Sequence, residues 1–368
     1  MLDSYPHLAS FTPRPDITRF IDHLLGRSQL PHPPAVEFIV DEPVLKAVIV
    51  SVLGREWVSP GADRESQTRY LDNLIAFWHG MGYAMLRFEA ALPFPGSSRV
   101  TGNTVSGSSR DRAWADESGG LISSWEDFEK YAFPRVEEFD FFPFEYLSRH
   151  LPEGMGLALA HGGGIFERVS WIFSIEKLCY LLFDQPDLVQ AVVTKVGELQ
   201  AAFYRQLVEI DRLAAIFPGD DMGFRSATLL SPAALRQYFL PWHQQIAEMA
   251  HAHGVPYFLH SCGNLEKIMP DLIDTVRLDA KHSYEDAILP AERFQEKYGH
   301  RIGVLGGMDI NILSAGSQAD VRARVCQLMD TCGPRGRFAI GSGNSIPDYV
   351  PLPNYLAMMD EIIALSTR

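Results

Sequence analysis

The sequence predicts an α/β protein built as a (β/α)8 TIM barrel, a single domain with an N-terminal helical extension. Three observations predict it. Short apolar runs alternate with longer amphipathic segments eight times, helical segments carry capping signals, and polar residues gather where the runs end. An open doubly wound sheet is the other architecture this alternation allows. With 368 residues, 46% hydrophobic and 21% charged, the chain has ample material for one large core.

In chain order, residues 1–34 hold one amphipathic helix, about Pro15–Arg27, and a Pro-rich link, expected to cover the bottom of a barrel formed by 35–368. The strand-like runs are AVEFIV (35–40), YAMLRFE (83–89), GLALAHG (156–162), AAIFPGD (214–220), PYFLHSC (256–262), RLDAKHS (277–283), IGVLGGMD (302–309) and RFAIGSG (337–343). Among the helical segments, Ser231 to His253 is the clearest. Ser231 suits the N-cap, Pro232 the first helical position and Gly254 the exit, with Leu235, Tyr238, Phe239, Trp242, Ile246 and Met249 at helical spacing. Ala319–Cys332 reads the same way and stops at Gly333-Pro334. The Gly- and Ser-rich stretch 93–124 follows the second run, so a barrel places it over the C-terminal face, as a lid.

A net charge of −14 argues against sequence-independent binding to nucleic acid or anionic membranes, which needs a basic surface. No apolar stretch approaches the roughly 18–20 residues that span a bilayer. Four cysteines in this length do not suggest a disulfide framework, and the N-terminus lacks a basic region followed by an apolar one. A cytoplasmic location is expected.

In a barrel the chemistry lies at the C-terminal strand ends. Those ends carry Glu37, Arg87 and Glu89, His161, Asp220 and Asp221, His260 and Cys262, Lys281 and His282, Asp309, and Asn344. His260 and Cys262 flank Ser261, so the two-residue period of a strand turns both to one face, the barrel interior if Tyr257 and Leu259 point outward. An imidazole beside a thiolate is a zinc-type pair. Gly162-Gly163-Gly164 lacks the following Gly-Lys-Ser/Thr of a phosphate loop. Cys332 precedes a helix-to-strand loop, at the opposite end of the barrel, and reads as structural.

The segments FPGDDMGFRSATLLSP, YFLHSCGNLEKIMPDLID, VLGGMDI and FAIGSGNSIPDYVPLPNYLAMM carry a resemblance. The chain resembles the uroporphyrinogen decarboxylase superfamily, whose members are (β/α)8 barrels and include zinc-dependent methyltransferases that work with corrinoid proteins. In that branch a His-x-Cys on one strand and a later Cys hold zinc. His260 and Cys262 match the first two ligands, and Asn344 stands where the second thiolate is expected. The arginine-rich RQAGR-type loop of true uroporphyrinogen decarboxylases is missing after the first run, where the sequence reads Asp41-Glu42-Pro43.

The resemblance therefore implies a methyltransferase that moves a methyl group between a small molecule and a corrinoid on a partner protein. The partner must supply the corrinoid, because this chain has no Asp-x-His-x-x-Gly motif. Zinc sits on His260 and Cys262 in this reading. Asp221, His282 and His161 are the expected catalytic residues. Glu89, Arg87, Arg225, Lys281, Asn344 and Asp309 are expected to bind substrate, and a homodimer is an allowed assembly. The alternative is metal-free decarboxylation of a porphyrinogen or other pyrrolic acid.

Overall fold

The computed structural model describes residues 2–96, 98–101, 112–115 and 120–366, the two short inner stretches as backbone only. Its strands are Met85–Ala90 (β1), Ser98–Thr101 (β2), Arg112–Ala115 (β3), Gly156–His161 (β4), Leu213–Ile216 (β5), Phe258–His260 (β6), Ala280–His282 (β7), Gly303–Leu305 (β8) and Phe338–Ala339 (β9). β1, β4 and β5 form one parallel sheet and β6, β7, β8 and β9 another. Parallel bridges from Ile216 to Tyr257 and from Gly219 to His260 join them. The run 35–40 docks on the far edge through parallel bridges Ala35–Ile340 and Val40–Ile346. At the remaining seam the Arg87 guanidinium donates to the Phe38 carbonyl at 3.3 Å. The order follows the eight runs around a TIM barrel.

Two-residue periodicity sorts each strand into an inner and an outer face. Met85, Ala158, Ala215, Phe217, Phe258, Ala280, Leu305 and Ala339 meet Val36 and Phe38 in an inner cluster. Their neighbours Leu86, Leu157, Leu159, Tyr257, Leu259 and Val304 pack outward in the larger core. Phe20 and Leu24, from the helix Ile17–Leu24, complete the inner cluster from below. That helix starts on Asp16, whose carboxylate accepts from Arg19 N–H at 3.0 Å. Phe20 is 1% exposed, so Phe20→Ala should cost about 3–5 kcal/mol in urea unfolding. A loss below about 1 kcal/mol would show that the plug is loosely packed.

The segment Ser231–His253 is helical but in three parts: Pro232–Ala234, a π-helical turn Leu235–Phe239, and Leu240–Ala252. Pro241 explains the break, since it has no N–H for the carbonyl of Gln237 and its ring crowds that carbonyl. The later helix runs Gln318–Cys332, with a Ser317–Asp320 capping box. Nearly half of the expected lid, 93–124, lies outside the described residues; within it β2 and β3 pair antiparallel. No helix among the described residues is long and apolar enough to cross a membrane.

Candidate functional site

β6 carries Phe258 inward, and the same parity brings His260 and Cys262 into the barrel mouth. Phe38 stacks on the His260 ring, with centroids 3.9 Å apart and planes 8° apart. His260 Nε2 lies 3.3 Å from Cys262 Sγ and 3.6 Å from Asp221 Oδ1. One ligand atom each from Asp221, His260 and Cys262 falls within 4.8 Å of the others. Asp221 also accepts from the Cys262 backbone N–H at 2.7 Å, which fixes the carboxylate against the loop.

Asn344 reaches the same place. Its Nδ2 donates to Cys262 Sγ at 3.1 Å, and Ser283 Oγ is 3.4 Å from that sulfur. His282 extends the group inward, its Nδ1 2.7 Å from His260 Nδ1 and its Nε2 3.1 Å from the Ser342 carbonyl. Burial pushes His282 down to about 3, and burial with the neighbouring His282 pushes His260 well down too, so both rings are neutral at pH 7. Burial likewise pushes the Cys262 thiol and the Asp221 carboxyl up. A neutral imidazole, a thiol, a carboxylate and an amide thus share one partly covered pocket.

Other expected site residues are held elsewhere. His161 shares the outward parity of Leu157 and Leu159. Its Nε2 accepts from Leu92 N–H at 3.0 Å and its Nδ1 meets the Gly163 carbonyl at 3.0 Å. Both nitrogens are used, and burial holds the ring down to about 3, so it braces the chain after β1 instead of facing the mouth. Lys281 points outward between the inward Ala280 and His282. Its ammonium donates to the Ser283, His282 and Ser261 carbonyls at 2.6, 3.2 and 3.4 Å, behind the site. It also borders a small cavity lined by Leu265, Met269, Tyr284 and Phe294. Burial lowers its pKa to about 8.

Asp309 is a helix cap. It accepts from Asn311 N–H and Asp286 N–H, both at 2.8 Å, and is 4% exposed. The strand parity that would have aimed it inward is lost at Gly306 and Gly307, with φ of +94° and +118°. Arg87 lies inside the barrel, donating to the Phe217 and Phe38 carbonyls and to Glu89, which opens further toward the mouth. Arg225 is exposed on the loop after β5. Asp220, of the opposite parity to Asp221, accepts from Phe166 N–H, Glu167 N–H and His243 Nε2 at 3.0, 2.9 and 2.9 Å. Its carboxylate packs where a Cβ on Gly164 would stand, 2.1 Å from Asp220 Cγ, which explains a glycine there.

The sequence reading did not assign site roles to Phe38, Ser283 or Ser342, or notice Glu167. Burial and the neighbouring Asp221 and Asp220 charges raise the Glu167 carboxyl well above the usual range. No motif announces these residues. Parity along 35–40 could have found Phe38, because Val36 and Phe38 share the inner face.

Glu37, 1% exposed, accepts from the N–H groups of Phe38 and Ser342 at 3.1 and 3.2 Å and from Ser342 Oγ. Burial nevertheless raises its carboxyl from 4.5 to about 7. A raised folded pKa means its contribution is complete below about pH 4.5 and is lost as pH rises through about 7. Wild type should therefore lose roughly 3 kcal/mol between pH 4.5 and 8 relative to Glu37→Gln. Urea unfolding of both proteins at the two pH values checks this, and parallel pH dependences would refute it.

The family profile described as uroporphyrinogen decarboxylase (URO-D) matches residues 145–365. A uroporphyrinogen decarboxylase from Gloeobacter violaceus is 26% identical over 191 residues, 50% of this chain and 51% of the relative, so the match spans about half of that protein. A solved methyltransferase from Methanosarcina mazei shares the fold, with a TM-score of 0.67 at 16% identity, covering 96% of this chain and 99% of its own. The profile spans well over half of the sequence, from the helix before β4 through β9 to the last helix, and the chain belongs to the uroporphyrinogen decarboxylase (URO-D) family.

Proposed function

We propose that this protein is a methyltransferase of the superfamily, moving a methyl group between a small molecule and a corrinoid carried by a partner protein, with zinc at the barrel mouth. The observation that carries the reading is the convergence of Asp221, His260 and Cys262 within 4.8 Å. Their donor set fits the ion: one imidazole nitrogen, one sulfur and one carboxylate oxygen leave a fourth position for substrate. A bound zinc would supply Lewis acidity, favouring a substrate thiolate or polarising a methoxy oxygen.

The chain's own groups do the rest. The Asn344 amide donates to the Cys262 sulfur, a bond that strengthens when the sulfur is anionic. Asp221 ties the loop of Cys262 to the end of β5. Phe38 walls one side of His260 and keeps water from that ring. Phe224, Leu229 and Tyr349, 62%, 39% and 46% exposed, lie on loops after the barrel strands and suit an approaching protein surface.

Metal-free decarboxylation is the second reading, favoured by the name of the curated relative. It needs several cations for substrate carboxylates, yet Arg87 and Lys281 are occupied by backbone carbonyls, which leaves Arg225 alone of the three expected. The deciding measurement is metal content of protein purified without chelator or affinity tag. Close to one zinc per chain supports the methyltransferase; none, with turnover of a pyrrolic acid, supports the decarboxylase.

A further inference from the structure

We propose that His282 is a positioning residue for His260: a one-way hydrogen-bond relay from the Ser342 carbonyl through His282 holds His260 as the tautomer whose bare Nε2 faces Asp221 and Cys262. The purpose of this relay rests on the metal-site reading above, but the tautomer follows from the hydrogen-bond geometry and the burial of both rings.

The relay has a direction because one end can only accept. The Ser342 carbonyl oxygen lies 3.1 Å from His282 Nε2, so that nitrogen carries the proton. In a neutral imidazole the other nitrogen then accepts, and His282 Nδ1 is 2.7 Å from His260 Nδ1. His260 Nδ1 must therefore donate, which leaves its Nε2 with a lone pair. That nitrogen points at Cys262 Sγ, 3.3 Å away, and at Asp221 Oδ1, 3.6 Å away. A charged pair is disfavoured, since both rings are buried and burial penalises the imidazolium form.

The surroundings hold the relay in place. Glu37 accepts from the Ser342 N–H and hydroxyl, pinning the residue whose carbonyl ends the chain. A Cβ at Gly306 would stand 2.2 Å from the Ser342 oxygen and 2.9 Å from His282 Nε2, so only glycine leaves room for their bond. Phe38 fixes the plane of the His260 ring. A metal-binding histidine needs one bare nitrogen aimed at the ion and an acceptor for the other N–H. His282 is placed to be that acceptor.

Two measurements test this. Long-range 15N–1H spectra of histidine-labelled, metal-free protein should report His260 protonated on Nδ1 and His282 on Nε2, assigned from the signals lost in His260→Asn and His282→Gln. An Nε2-protonated or tautomer-averaged His260 in wild type overturns the relay. Zinc competition against a chelator should show His282→Phe binding about 10- to 100-fold more weakly. His282→Gln, able to donate to Ser342 and accept from His260, should retain most of the affinity. Equal losses in both variants would mean that His282 only fills space. The two readings fail separately: the expected tautomers in a protein that binds no zinc sink the metal site but keep the relay, whereas tight zinc with an averaged His260 sinks the relay alone.

Discussion

Cys262→Ala is expected to abolish zinc retention and, with it, methyl transfer. The thiol is the soft donor of the set and sits within reach of His260 Nε2, Asn344 Nδ2 and Ser283 Oγ. Its removal leaves a nitrogen and an oxygen, a combination with much less preference for zinc. Affinity should fall by more than about 100-fold, beyond the range typical of losing a partner that only orients a ligand. Chelator competition and bound-metal analysis measure it. Fold should survive, because Cys262 is only partly covered and the change removes one sulfur. Unfolding midpoints should stay close to wild type. If Cys262→Ala keeps its zinc, the metal lies elsewhere and the proposed site is wrong.

The second large effect runs the other way. Asn344→Cys should tighten zinc retention by about 10-fold or more, since a thiolate brings the charge and softness that an amide lacks. A cysteine at 344 can reach the site, because the Asn344 amide lies 3.1 Å from Cys262 Sγ. The assay needs a reductant, because two neighbouring thiols could oxidise to a disulfide. Metal dissociation into excess chelator should slow in the variant. An unchanged rate would mean that position 344 serves only as a hydrogen-bond donor to the sulfur. The effect on turnover is a separate question: a fourth strong ligand would occupy the position proposed for substrate, so tighter metal with slower methyl transfer is the expected pair of results.

Much of this was legible in the residues. The eight runs mark the barrel strands, although several strands are shorter than the runs or consist of isolated bridges. The pairing of His260 with Cys262 on one face followed from strand period, and the inward Phe258 agrees with it. The same rule, applied to every strand, would have separated Asp221 from Asp220 and set His161 and Lys281 aside. Ala158 and Ala160 are the inward side of β4, so His161 falls with Leu157 and Leu159; Lys281 falls between Ala280 and His282. An ionisable strand end joins the mouth only where strand parity turns it inward.

By itself the sequence determined the alternation, the faces of regular strands and the helix ends, because each depends on neighbours within a few residues. It also determined that one imidazole and one sulfur share a strand end. Only the tertiary structure decided what surrounds them. Asp221, the pair His282 and Ser283, and the pair Ser342 and Asn344 come from three other strand ends, and their meeting depends on how the sheet curves and staggers, which no local pattern records. Backbone acceptors decided the rest. Carbonyls at Gly163 and Ser342 use up His161 and orient His282, and their positions are set by glycine turns and long-range packing, not by the identity of either histidine.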